Sequence, residues 1–183
     1  MVDEAAKEAG YIRKVFHGTD NGNFNVFKRS IKGTYTSTSE EIAGTYGKRV
    51  LSLYGKEGMK ILNVDAKNAP HFSIASENIP IDFSEYPLLK GKRTYTTNDI
   101  TTIANREGYD VVVIRNVNDV AFMGSEIYGD GISTDVIYFE QNMLKSSDPV
   151  TYDDNGNVIP LSERFNSKST RQRQRGHIYR KPL

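Results

Sequence analysis

Several residue types are missing or scarce in this sequence, and each absence narrows the chemistry available to it. The chain has no cysteine, which excludes disulfide bonds, thiolate catalysis and thiolate zinc sites. It has no tryptophan and only three histidines, His17, His71 and His177, whose wide separation indicates no metal cluster. No apolar run approaches the ~20 residues that cross a bilayer, and the acidic N-terminal segment lacks a signal-peptide hydrophobic stretch. We therefore expect a cytoplasmic protein that needs neither a metal nor a membrane.

The net charge of +1 conceals two parts of opposite sign. The 183 residues include 24 basic and 23 acidic ones, and seven of the basic residues lie between Arg164 and Leu183, where no acidic residue occurs. Residues 1–163 are left with 17 basic and 23 acidic residues, a net charge of −6. The length suits one domain, because one hydrophobic core serves roughly 100–200 residues. We predict a domain over residues 1–147 and an extended, flexible, basic tail over 148–183.

Three short helices are predicted from helix-forming residues and the signals at their ends. The first covers residues 3–9 and is ended by Gly10. Ser39 caps the second, which runs to about Tyr46, because the two glutamates after the cap suit the positive end of the helix dipole. The third covers residues 97–108 and also ends at a glycine.

Strands are predicted where β-prone or apolar residues recur. They cover residues 11–16, 33–39, 48–54, 60–65, 109–116 and 135–139. The third and fourth are separated by a glycine-containing segment, which predicts a hairpin. The fifth contains Val-Val-Val-Ile at 111–114 and is expected to be central and buried on both faces. Since strands and helices do not alternate regularly, the order predicts an α+β fold rather than a doubly wound parallel sheet.

Four short blocks contain the residues that could carry chemistry. They are His17-Gly-Thr at the end of the first strand, Gly33-Thr-Tyr35 in the next β-segment, Ala43-Gly-Thr-Tyr46 at the end of the second helix, and Asp135 at the start of the last strand. Taken singly, each block has an ordinary structural explanation, because glycines form turns, tyrosines pack in cores and an aspartate caps a turn. Only their combination and order indicate a site.

This combination resembles the ADP-ribosyltransferase superfamily, in the His-Tyr-Glu branch shared by diphtheria-type toxins and poly(ADP-ribose) polymerases. The resemblance covers about residues 11–145. The flanking segments 2–11 and 148–165 are similar to phage-associated members, which are fused to head-morphogenesis or polyvalent proteins. The resemblance implies an α+β split β-sandwich with short flanking helices, in a phage- or toxin-like effector that acts in the bacterial cytoplasm.

The activity implied by the resemblance is mono-ADP-ribosyl transfer. The enzyme would take ADP-ribose from its co-substrate NAD, release nicotinamide and modify a macromolecular acceptor, a protein rather than a nucleic acid. A monomer is expected. Two alternatives stay open, an NAD glycohydrolase with water as acceptor and a catalytically weak NAD-binding or interaction module. The basic stretch 171–175 could attract nucleic-acid phosphates, but it lacks interleaved aromatic residues, so a solvated and disordered terminus is favoured.

The resemblance assigns catalytic roles to His17, Tyr35 and Asp135, and NAD contacts to His17, Gly18, Thr19, Tyr35, Ala43 and Tyr46. A neutral imidazole would donate to and accept from ribose hydroxyls, and Thr19 would offer a further hydroxyl. The two tyrosine rings would enclose the nicotinamide, an aromatic cation that suits electron-rich ring faces. Gly18 would let the backbone approach the carboxamide closely. Asp135 would stabilise the positive charge that develops as the glycosidic bond breaks.

The acidic residue departs from the family pattern. Asp135 stands where the family has glutamate, so the carboxyl group is one methylene closer to the backbone, and small misplacements of a catalytic group cost large rate factors. Glu126 and Glu140 are the alternative acids. The loop expected to meet the acceptor, residues 117–133, has no recognisable code for it.

A second departure concerns Ser37-Thr-Ser39, which matches a motif of the rival Arg-Ser-Glu branch. That branch has arginine where this chain has His17, and glutamate or glutamine where it has Ser133. We therefore interpret the motif as a strand end and helix cap, and expect no arginine-directed modification.

Overall fold

The computed structural model describes residues 1–21, 27, 30–58, 60–119, 131–153 and 155–166, together with the backbone of 177–178. Within them, the helices are α1 (Val2–Glu8), α2 (Glu40–Thr45), α3 (Thr97–Arg106) and α4 (Leu161–Arg164). The strands are β1 (Tyr11–Thr19), β2 (Thr34–Ser37), β3 (Arg49–Lys56), β4 (Ile61–Asp65), β5 (Ile74–Ala75), β6 (Thr94–Tyr95), β7 (Val111–Asn118), β8 (Ile132–Tyr138), β9 (Leu144–Ser146) and β10 (His177–Ile178). None of the described helices is long and apolar enough to cross a membrane.

One mixed sheet organises the chain. Its strands follow the order β3-β1-β2-β8-β7-β4, and β9 and β10 both pair with the outer edge of β3. The pairs are antiparallel except β4 with β7, which is parallel, and β5 and β6 form a separate two-stranded sheet. A mixed sheet with a few short helices agrees with the predicted α+β class.

The three predicted helices are confirmed, and so are the residues predicted to cap or end them. Gly10 follows α1 with φ 82°, and Gly108 follows α3 with φ 73°, both in the left-handed region that favours glycine. The Ser39 hydroxyl accepts a hydrogen bond from the Ile42 amide at 3.2 Å, so this serine caps α2 as expected. The strands differ more from the prediction. β1 continues past His17, and Asp135 is inside β8 rather than at its start.

The predicted hairpin between β3 and β4 is wrong. β3 pairs with β1, whereas β4 pairs in parallel with β7, from Ile61 opposite Val111 onward. The glycine that suggested a turn serves close packing instead. A β-carbon on Gly55 would lie 1.9 Å from the Tyr138 hydroxyl oxygen, so only glycine fits there. The Val-Val-Val-Ile segment of β7 is buried on both faces because a core packs on each side of the sheet, with Val111 and Val113 in one core and Val112 and Ile114 in the other.

β1 and β2 meet at a narrow junction in the sheet. β1 and β2 pair at one position only, Phe16 opposite Ser37. Side chains of β1 and β3 nevertheless share a buried core with those of β7 and β8, including Val15, Val113 and Val136. Strands that are not neighbours in the sheet therefore pack face to face. A second core fills the other face of β7 and β8, where α3 covers them.

In the predicted tail, residues 148–153 and 155–166 are folded against the domain rather than extended. Phe165 is 7 % exposed and its ring contacts the rings of Tyr11 and Tyr54, at centroid distances of 5.7 and 6.1 Å. Arg164 is buried, and its guanidinium group donates to the carbonyl oxygens of Pro149, at 3.0 Å, and Asp148. Polar composition concealed these two anchors, because an arginine whose terminal guanidinium nitrogens donate to carbonyl groups can be buried.

Replacing this aromatic anchor should destabilise the whole domain. We expect Phe165→Ala to lower the free energy of unfolding by about 3 kcal/mol, because it empties a site packed by two tyrosine rings. Urea denaturation measures the change. Val158→Ala, at a side chain that is 60 % exposed in the same segment, should have almost no effect. Equal stability of the Phe165 variant and wild type would contradict this packing.

Candidate functional site

A cavity of about 440 Å³ lies where β1 and β2 separate beyond their junction. This volume is within the ~300–1,000 Å³ of typical small-molecule sites. The residues that line it are Phe16, His17, Gly18, Tyr35, Thr36, Ser37, Ala43, Tyr46, His71, Thr97, Asn98, Asp119 and Asp135. All three residues predicted to be catalytic are among them, as are all the predicted NAD contacts except Thr19. The fold therefore brings together residues that lie more than 100 positions apart in the sequence.

His17 is fixed in one tautomer by its hydrogen bond to the neighbouring strand. Its Nδ1 lies 2.7 Å from the backbone carbonyl oxygen of Tyr35. A carbonyl oxygen only accepts, so Nδ1 carries the hydrogen and the neutral ring presents Nε2 as an acceptor. Burial lowers the pKa of His17, and the bond to the Tyr35 carbonyl opposes that shift in part. At neutral pH the ring is therefore an uncharged hydrogen-bonding group.

Tyr35 is anchored to the first turns of α3. Its hydroxyl donates to Asn98 Oδ1 at 3.1 Å and also lies 3.0 Å from Thr101 Oγ1. Its ring packs against the core beneath α3. Burial raises the pKa of Tyr35, so the side chain stays neutral. One residue thus holds His17 through its backbone and α3 through its side chain.

Tyr46 lines a more open part of the cavity. It caps the C-terminal end of α2 and is 49 % exposed, with its hydroxyl 3.5 Å from the Asp119 backbone oxygen. Burial of part of the ring, followed by the nearby Asp119 charge, raises its pKa. A deep tyrosine and a half-exposed tyrosine therefore line the same cavity, which fits the predicted pair of rings.

Position 18 requires glycine for a structural reason that differs from the predicted one. A β-carbon there would lie 1.8 Å from the Ala43 carbonyl oxygen, so its absence lets α2 lie directly on β1. Gly47 is similar, since a β-carbon at this position would lie 2.3 Å from the Thr19 backbone. These two close contacts place Ala43 and Tyr46 beside the cavity.

Thr19 is not brought into the cavity. Its side chain is buried, and its hydroxyl accepts a hydrogen bond from the Asn21 amide at 3.1 Å. The hydroxyl predicted to meet a ribose is therefore used to form the turn after β1.

Asp135 is a buried carboxyl group at the floor of the cavity. It lies opposite Ser37 in the sheet and is 4 % exposed. Burial raises its pKa well above the ordinary value, the charge of Asp119 raises it further, and the Ser133 hydroxyl, which donates to it at 3.3 Å, lowers it. A cation in the cavity would favour the ionised form, because an opposite charge lowers the pKa of a carboxyl group.

The alternative acids have different positions. Glu140 is exposed, lies beyond the end of β8 and does not line the cavity. Glu126 lies outside the described residues, as does most of the predicted acceptor loop. Among the residues that the structure does describe, no three His, Asp or Glu side chains are grouped to hold a metal ion.

Sequence reasoning missed His71 and Asp119, which also line the cavity. Their side chains meet, with His71 Nδ1 3.3 Å from Asp119 Oδ1. His71 follows β4 and Asp119 follows β7, and the carboxyl ends of parallel strands lie at one edge of a sheet. The incorrect hairpin concealed this signal, because only the parallel pairing of β4 with β7 predicts that the two residues meet.

The burial of Asp135 should cost stability at neutral pH. Because its pKa is raised in the folded protein, the unfolded chain loses the proton first, and this group makes the protein less stable as the pH rises above about 4. An asparagine side chain does not ionise, so it avoids this pH-dependent loss of stability. We expect Asp135→Asn to raise the free energy of unfolding at pH 7, by about 1.4 kcal/mol for each unit of upward pKa shift. At pH 4 the difference should nearly vanish.

Urea denaturation at both pH values measures this effect. Asp82→Asn is the matched control, because Asp82 is exposed and hydrogen bonds from Ser84 lower its pKa, so no gain is expected at pH 7. A stability difference for Asp135→Asn that is the same at pH 4 and pH 7 would contradict the raised pKa.

No protein-family model, curated protein or solved structure matches this chain. The chemistry of the site therefore follows from its residues and their geometry.

Proposed function

We propose that this chain is an NAD-dependent mono-ADP-ribosyltransferase that transfers ADP-ribose to a protein and releases nicotinamide. One observation carries the proposal: His17, Tyr35, Tyr46 and Asp135 line one cavity. They come from β1, β2, the end of α2 and β8, in the order that the resemblance requires. The narrow junction of β1 with β2 and the face-to-face packing of the sheet support a split β-sandwich of the ADP-ribosyltransferase type.

In this proposal the cavity binds the nicotinamide riboside half of NAD. The Nε2 atom of neutral His17 accepts a hydrogen bond from a ribose hydroxyl, since its Nδ1 hydrogen is already used. The rings of Tyr35 and Tyr46 contact the nicotinamide cation. The backbone of Gly18, at the cavity wall, pairs with the carboxamide.

Bond cleavage follows from the same geometry. The C–N glycosidic bond breaks, nicotinamide leaves with the bonding electron pair, and positive charge develops on the ribose. The Asp135 carboxylate stabilises that charge in a water-poor cavity, where electrostatic interactions are stronger than in bulk water. The acceptor attacks the ribose carbon as this charge develops. In the cellular setting, this is a phage- or toxin-like effector that acts in the bacterial cytoplasm.

One observation favours a second candidate, a catalytically weak NAD-binding module. Burial raises the pKa of Asp135, and a carboxyl group that stays protonated stabilises a cation poorly. The two candidates differ in turnover but share the binding site.

NAD labelled in the adenylate half distinguishes them. For the transferase, wild type releases nicotinamide and labels protein in a bacterial lysate, whereas free ADP-ribose alone indicates a glycohydrolase. Asp135→Ala should slow nicotinamide release by about 10²–10³-fold, the usual cost of removing a group that stabilises transition-state charge. Calorimetry should show that this variant still binds NAD.

Three further variants test the assignment of residues. His17→Ala and Tyr46→Ala should each weaken NAD binding, because they remove a hydrogen-bond acceptor and a ring face. Glu140→Ala is the matched acid control and should leave release unchanged, since Glu140 lies outside the cavity. NAD binding that survives both His17→Ala and Tyr46→Ala would refute the proposed site. Binding without turnover in wild type would favour the weak module.

A further inference from the structure

His71 and Asp119 form a pair at the cavity that the proposed NAD-binding residues leave unused. His71 Nδ1 faces Asp119 Oδ1 at 3.3 Å. The carboxylate side chain is 8 % exposed and the imidazole 28 %, so the acid is buried behind a more accessible ring. Because Nδ1 is turned toward the acid, Nε2 is the nitrogen on the other side of the ring. A carboxylate 3.3 Å from an imidazole nitrogen stabilises the imidazolium ion that forms when the ring accepts a proton.

Backbone hydrogen bonds hold the segments that carry this pair. Beyond the end of β4, the chain stays bonded to β7, through Ala66 N to Arg115 O and Asn68 N to Asn116 O, both 2.8 Å. The His71 amide donates to Asn118 O at 3.2 Å, and its carbonyl accepts from Thr97 N at 2.8 Å. The loop that carries His71 is therefore held to β7 and to the start of α3 by backbone hydrogen bonds.

This segment also contains unusual backbone conformations. Lys67, Asn68 and Asn116 have φ values of 51°, 65° and 53°, in the left-handed region that non-glycine residues rarely adopt. Such strain persists where the surrounding structure imposes it, and it is concentrated at functional sites. Here the strained residues lie in the two segments that lead to His71 and Asp119.

We propose that His71 and Asp119 act as a general-base pair that activates a neutral hydroxyl group as the acceptor of ADP-ribose. This inference rests on the proposed function and names the chemical class of its nucleophile. The acceptor oxygen forms a bond to the ribose carbon while the C–N bond to nicotinamide breaks. The hydroxyl proton passes to His71 Nε2, and the imidazolium ion is stabilised by the Asp119 carboxylate at Nδ1. A nucleophile that carries no proton has no need of this pair.

Reactions with three nucleophiles distinguish the role of the His71–Asp119 pair from the role of the rest of the site. NAD is incubated with the full chain in water, in added methanol and in added sodium azide, and the ADP-ribosyl products are quantified. Wild type should form ADP-ribose, the methyl glycoside and the azide adduct. In His71→Gln, the two oxygen products should form about 10²–10⁴-fold more slowly, the usual contribution of a general base. The azide adduct should form at nearly the wild-type rate.

Asp119→Asn should show the same selective loss to a smaller extent, and Glu85→Gln, on the exposed surface, should change neither rate. Retained azide transfer also shows that each variant is folded and binds NAD. Equal loss of oxygen and azide products in both variants would overturn the proposal, since it would indicate a structural role. Unchanged methanol transfer in His71→Gln would overturn it as well. If wild type forms no product from any nucleophile, the proposed function itself fails, and the pair fails with it.

Discussion

The site depends on one constraint, the single pairing of β1 with β2 at Phe16 and Ser37. β1 is paired along its length with β3, and β2 is paired with β8, so neither strand can turn toward the other without losing those ladders. Beyond the junction, the backbones separate and one hydrogen bond spans them, from His17 Nδ1 to the Tyr35 carbonyl oxygen. The cavity is the space that this separation leaves. Strand edges that continued pairing would cover therefore line an opening, where a ligand can reach them.

The buried acidic side chains of the cavity lower the stability of the folded protein. Among the described residues that line it, two are carboxylic acids, Asp119 and Asp135, and none is lysine or arginine. Burial raises the pKa of both, and the charge of Asp119 raises the pKa of Asp135 further. A fold selected for stability alone would replace such a pair with apolar or amide side chains. A cationic ligand would reverse the penalty, because it favours the charged form of both acids. The cavity is thus suited to a positive group more than to a neutral one.

The sequence predicted local features well and long-range pairing poorly, for physical reasons. Ser39 and Gly10 set helix ends through contacts within a few residues, and the apolar run of β7 needs no knowledge of its partners. The partner of β4 is different, because a strand pattern states which face is buried but not which strand lies beside it. Gly55 suggested a turn, although the glycine is there to admit the Tyr138 side chain. That one error in pairing also hid the meeting of His71 with Asp119.

The first turn of α3 connects the two sides of the cavity. Asn98 accepts the hydrogen bond from the Tyr35 hydroxyl, and the Thr97 amide donates to the His71 carbonyl oxygen. Thr96, which precedes the helix, and Asp99, in its first turn, form a capping box that fixes this turn. Tyr35 in turn holds the His17 ring, so the side of the cavity proposed to bind NAD and the side proposed to activate the acceptor share one anchor. A shift of this helix end would alter both sides together, whereas the cores on either face of β7 and β8 hold it still. The helix cap therefore fixes the two sides of the cavity relative to each other, in addition to the junction of β1 with β2.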